Sequence, residues 1–236
     1  IAHAADYNVT ISDPNVWVSQ IQGPRSMDVL KDVIDGDFPT AWRYFDIATV
    51  SIAGEKVIIT RTGFSSELGW EFYLQPENNA EKVGNRIWEI GQKHEMILTG
   101  TPVFRARRIE AGLMSQAEFD STTTPFDSGL GHFLNMEKAD FIGKAALTAE
   151  KEAGPKKRIV FFKTGNRRIV RSDTEVQAGN RAIGTVVSGT FSPELNEAIG
   201  SALIDSEYSE AELSVDMRGK TMRIFQTKSP FIKLKP

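Results

Sequence analysis

The sequence predicts an α+β fold followed by a small antiparallel β-barrel or sandwich. Three observations carry this expectation. Strand-like and helix-like patterns alternate up to about Ala153, the run Gly154 to Lys157 (GPKK) breaks the pattern, and six short strand-like segments then follow without a helix. The expected division is an α+β domain over 1–153 and a β domain over 154–236.

The elements follow in order. VWVSQIQ, Val16 to Gln22, alternates as a strand does, and Gly23-Pro24 ends it. Pro24 can open a helix at its first turn, with Met27, Leu30 and Ile34 as its apolar stripe and an end near Asp35-Gly36. Phe45 to Ile52 and Lys56 to Thr60 form a hairpin around Ala53-Gly54-Glu55. A helix is expected from about Asn79 to His94, burying Val83, Ile87 and Ile90 with Trp88 beside them. A second runs from Pro102 to Met114 with Ile109 and Leu113 inward, and a third over FIGKAALTAEKEA is capped by Asp140. RIVFFK, TEVQAG, RAIGTVVSGTF, AIGSALI, AELSVDM and TMRIFQT are the six closing strands, and Ser188-Gly189 with Ser192-Pro193 reads as a barrel turn.

Composition narrows the function. The chain has 236 residues, a net charge of −3 and a pI near 5.7, which leaves no electrostatic footprint for nucleic acid. No apolar run reaches the length of a membrane span, and no signal peptide is visible, so a cytoplasmic site is expected. Without cysteine there is no disulfide, thiolate nucleophile or iron–sulfur ligand set. His3, His94 and His132 lie too far apart to match a metal spacing. The start at Ile1-Ala2-His3 reads as a cut on the N-terminal side of something longer.

The most informative run is TRTGFSSELGWEFYL, Thr60 to Leu74. It reads as strand, glycine turn, strand. Trp70, Phe72 and Leu74 share one face of the second strand; Glu71 and Tyr73 share the other. A carboxylate beside a tyrosine on one face is either a solvated edge or a ligand clamp. A carboxylate accepts two parallel N–H bonds from a planar amidine-like edge, such as the ring N–H and exocyclic amine of a pterin. Glu67 reads as a solvated turn residue, and Lys156, Lys157 and Arg158 as a solvated run. The adjacent Arg107 and Arg108 point to different helix faces, so one should face solvent.

Four stretches in order then carry a resemblance: QGPRS (Gln22 to Ser26); TRTGFSSELGWEFYL; RRIEAGL (Arg107 to Leu113) with PFDSGLG and DFIGKAAL; and GTVVSGTFSP (Gly184 to Pro193) with KSPF (Lys228 to Phe231). The chain resembles the folate-dependent aminomethyltransferase superfamily, the T-protein of glycine cleavage and its relatives. The resemblance implies a clover-leaf fold around tetrahydrofolate with a C-terminal barrel. It implies that Glu71 grips the pterin edge, and that Phe64, Tyr73, Phe104 and His132 line the folate site. T-proteins usually have tyrosine at the Phe64 position, arginine at the Phe104 position and often tryptophan at the His132 position. The SSEL run, Tyr73 and the double arginine look more like dimethylsulfoniopropionate demethylases, which place aromatic rings around a sulfonium. Two of those rings would fall at Phe38 and Phe64, with Tyr73 a third contact, which makes Phe38 a candidate for a donor pocket; Trp42 and Tyr44, flanking Arg43 before a strand, read either as a further wall of that pocket or as core packing. The family's catalytic acidic residue lies in a more N-terminal portion, so no catalytic residue is assigned.

The implied activity is transfer of an aminomethyl or methyl group from a small charged donor to tetrahydrofolate. Alternatives left open are sulfonium S-methyl transfer, the folate lobe of a flavin-dependent demethylating dehydrogenase, and a non-catalytic folate-binding protein. The expected partners are the small one-carbon donor and either a second copy or a missing N-terminal segment.

Overall fold

A computed structural model describes residues 8–39 and 42–233. Ile1 to His3 therefore lie outside the described residues. The chain divides into two compact units: residues up to 63 with 67–99, and residues 64–66 with those from 100 on.

The first unit is a four-stranded antiparallel sheet with two helices on one face. Its strands are β1 (Trp17–Gln22), β2 (Ile47–Ile52), β3 (Glu55–Thr60) and β4 (Gly69–Leu74), in the order β1-β4-β3-β2. The β2–β3 connection is a two-residue turn in which Ala53 and Gly54 both take positive φ, 52° and 78°. That is the turn whose twist matches a right-handed hairpin. Helices α1 (Ser26–Val33) and α2 (Ala80–Lys93) cover one face of the sheet. Leu30, Val33, Ile52, Val57, Ile59, Trp70, Phe72 and Val83 meet there with almost no exposure. The Asn79 side chain accepts from the Lys82 amide at 3.0 Å, as expected of an N-cap. Helix α1 starts two residues after Pro24, because Gly23 to Arg25 form a turn closed by the Ser26 amide on the Gly23 carbonyl at 3.0 Å.

The second unit begins with α3 (Thr101–Glu110), which ends before the expected Met114. Gly112 takes φ 71°, and the Leu113 amide reaches back to the Arg108 carbonyl at 2.8 Å. This is a left-handed helix stop. Helix α4 (Lys144–Ala153) starts at Gly143, not at Asp140. The Phe141 carbonyl accepts from the Lys144 amide, so 141–143 form a turn before the helix.

Six strands follow: β5 (Lys157–Lys163), β6 (Glu175–Ala178), β7 (Arg181–Ser192), β8 (Glu197–Asp205), β9 (Leu213–Asp216) and β10 (Thr221–Thr227). They close as an antiparallel barrel in the order β10-β5-β8-β7-β6-β9. Of the two expected forms, the structure takes the barrel. Val160, Phe162, Val176, Ile183, Val186, Ala202, Ile204, Leu213, Val215 and Ile224 fill it. Ser188 and Ser192 lie inside β7 and not in a turn. A bulge between Val186 and Ser188 lets one long strand bend around the barrel without a break.

Candidate functional site

The strand register sets a polar row on the face of the first sheet opposite the two helices. β4 is flanked on both sides, so Glu71 has two direct cross-strand partners, Gln20 on β1 and Thr60 on β3. Trp70, Phe72 and Leu74 are buried on the helix-covered face. Glu71 and Tyr73 are half-buried on the other, as the period-two reading requires.

The carboxylate of Glu71 is held in place by one oxygen. The Thr62 hydroxyl donates to Glu71 Oε2, and Thr62 is itself in hydrogen-bond contact with the Thr60 hydroxyl. The Tyr73 hydroxyl lies 3.4 Å from the same oxygen. Glu71 Oε1 accepts no hydrogen bond from the described residues. One oxygen is therefore anchored and the other is available to a donor. A pterin edge supplies such donors, so the residues present fit that group.

The other predicted residues are distributed as follows. Phe38 and Trp42 come together, ring centroids 6.3 Å apart, and Trp42 sits edge-on to Trp70 at 5.1 Å. Trp70 points to the face of β4 opposite Glu71, so Phe38 and Trp42 join the first unit's core. Tyr44 is exposed and stacks instead on Phe45 at 4.4 Å. Phe64, exposed in the turn between β3 and β4, belongs to the second unit with Phe104 and His132. Phe104 is half-buried on α3. His132 is exposed in a one-turn 3-10 helix over Gly131–Phe133, stacked on Phe133 at 4.1 Å, and lines an open cleft with Asn135, Glu137 and Lys151. Among the described residues no group of histidine, aspartate and glutamate is placed to hold a metal ion.

Sequence reasoning missed Thr62 and Gln20. Thr62 lies two residues past Thr60, and its role depends on how the turn folds. Gln20 is 51 positions before Glu71, and only the β1–β4 register brings them together.

It also missed a buried polar network in the second unit. Arg108 Nη1 donates to both oxygens of Glu118, at 3.1 and 3.0 Å, and Nη2 donates to Ser188 Oγ at 2.8 Å. Ser201 Oγ and the Ser115 amide also donate to Glu118, each at 2.9 Å. Burial pushes the Glu118 carboxyl up. The hydrogen bonds from Ser188 and Ser115, with the Arg108 charge, outweigh this and hold it below the usual carboxylate range. Beside this network, Ser192 donates to Glu110, which also pairs with Arg107 at 2.7 Å. Of the two adjacent arginines, Arg108 is the buried one, and both of its Nη atoms are engaged inside the unit.

A mixed sheet-and-helix chain ending in a closed six-stranded barrel defines an α+β protein with an appended antiparallel barrel. The model of the GCVT N-terminal domain matches residues 1–138, and that of the glycine cleavage T-protein C-terminal barrel domain matches residues 157–233. The chain belongs to the glycine cleavage T-protein family. It is 34% identical to the aminomethyltransferase of Caldanaerobacter subterraneus subsp. tengcongensis over 98% of its own length and 63% of the relative's. It is also 34% identical to that of Thermoanaerobacter sp. strain X514, over 96% of its length and 63% of the relative's. The crystal structure of the glycine cleavage system aminomethyltransferase T from Bartonella henselae matches it with a TM-score of 0.82 at 24% identity, covering 92% of this chain and 60% of that one. At that identity the match shows the shared fold. The chain thus spans about 63% of the length of the curated relatives it matches.

Proposed function

We propose that this chain serves tetrahydrofolate-dependent transfer of a one-carbon unit from a small charged donor, as an aminomethyltransferase does. The observation that carries the reading is Glu71, half-buried on the sheet face opposite the helices, with one oxygen anchored by Thr62 and Tyr73 and the other accepting no hydrogen bond from the described residues. Glu71 holds the pterin ring by its N–H and amine edge. Tyr73 orients the carboxylate. Tetrahydrofolate, when bound, supplies the N5 atom that receives the one-carbon unit. The chain's own part is to position, and holding two reactants in line supplies much of the rate of such a step.

The name aminomethyltransferase, carried by the relatives above, favours an aminomethyl donor over a sulfonium, a flavoenzyme lobe or a non-catalytic folate binder. No helix among the described residues is long and apolar enough to cross a membrane, which is compatible with a cytoplasmic site. We also propose the domain boundary at 153/154, which falls between the two family matches. The proposed partners are the small charged one-carbon donor and a second copy of the chain.

The test is titration of this chain with tetrahydrofolate, followed by tryptophan fluorescence, beside Glu71→Gln. Saturable binding that weakens about tenfold or more in the variant is expected, as for loss of a charge-assisted pair. Equal binding by both would overturn the role of Glu71.

A further inference from the structure

Gln20 and Glu71 stand directly opposite each other on neighbouring strands. Residues so paired share a face, with Cβ atoms about 4.5–5.5 Å apart. The amide oxygen of Gln20 is enclosed and has no hydrogen-bond donor. Buried amide groups are ordinarily paired, so an unpaired acceptor beside a candidate ligand clamp needs a reason. Its counterpart on the other flank, Thr60, is already engaged with Thr62.

The donor count of the ligand supplies the reason. A 2-amino-4-oxo pterin edge carries three N–H bonds, one on the ring and two on the exocyclic amine. A carboxylate takes two of them in parallel. The third amine hydrogen points sideways from the carboxylate, and a sheet offers it an acceptor only from a neighbouring strand. Gln20 provides one on β1. The last torsion of a glutamine side chain is soft and roughly two-fold, so the half-buried amide can turn its oxygen to the surface.

We propose that Gln20 is a further binding residue that reads the exocyclic amine of the pterin, an inference that rests on the pterin reading of Glu71. Glu71 fixes the ring N–H and the first amine hydrogen; Gln20 takes the second and so selects for a free 2-amino group.

The experiment compares two probes on this chain, tetrahydrofolate and its 2-desamino-2-methyl analogue, with the unaltered protein, Gln20→Leu, Gln20→Met and Glu71→Gln. Melting temperatures are recorded alongside, and the methionine variant serves if leucine impairs folding. The expected result is that Gln20→Leu weakens tetrahydrofolate about tenfold, the effect of one lost hydrogen bond, and leaves the analogue unchanged. Glu71→Gln should weaken both probes. Equal weakening of both by Gln20→Leu, or no weakening of either, overturns the inference while leaving Glu71 in place. Absence of saturable binding by the unaltered chain overturns the pterin reading itself, and this inference with it.

Discussion

Arg108 and Glu118 form a buried ion pair in which one guanidinium nitrogen meets both carboxylate oxygens, at 3.1 and 3.0 Å. The pair joins α3 to the loop after it, and through Ser188 and Ser201 it reaches two strands of the barrel. Removing one partner leaves an uncompensated charge in the interior. Arg108→Met should destabilise the second unit by about 3–5 kcal/mol, read as a shift in urea midpoint without a change in slope.

Acid should act on the same pair. The Glu118 carboxyl binds its proton less tightly folded than unfolded, where its ordinary value is 4.5. Its contribution to stability is therefore complete above that value and drains away as pH falls through the lower folded value. Melting curves of the protein and of Glu118→Gln should converge on acidification from neutral pH to below 4.5. A gap between them that stays constant would show that Glu118 is not the titrating group.

Thr62 donates its hydroxyl to Glu71 Oε2. Thr62→Val removes the hydroxyl that holds Oε2 and keeps the side-chain shape. It should weaken tetrahydrofolate several-fold, less than Glu71→Gln does, with a melting temperature within a degree or two of the parent's. Thr62→Ser should restore binding.

Gly189 marks a close approach of two backbones. A Cβ there would lie 1.9 Å from the Val170 carbonyl oxygen. Gly189→Ala must push that segment away from β7, and a loss of about 1–3 kcal/mol is expected in denaturant titration.

The sheet-and-barrel architecture was legible because its signals are local. Alternation in WEFYL puts Trp70 and Phe72 in the core and Glu71 outside it, and the buried face of α2 follows from Val83, Ile87 and Ile90. Helix ends were harder. Gly112 stops α3 and Gly143 starts α4 through backbone conformations that helix propensity does not register. The candidate site was half legible. Glu71 and Tyr73 are two residues apart on one strand, so period alone pairs them. Gln20, and the meeting of Arg108 with Ser188, depend on strand register and packing between segments 51 and 80 residues apart. No local pattern encodes such distances.

The barrel has one further consequence, for the order of its making. Its ring closes where β10 pairs with both β9 and β5, the last strand to be synthesised meeting the first. A ribosome that has not yet delivered Thr227 holds five strands with two open edges, a nascent sheet that can pair with a neighbour as readily as with itself. Closure of the barrel therefore waits on β10, the last of its strands to be made, and a nonsense codon within β10 leaves the edges of β5 and β9 open.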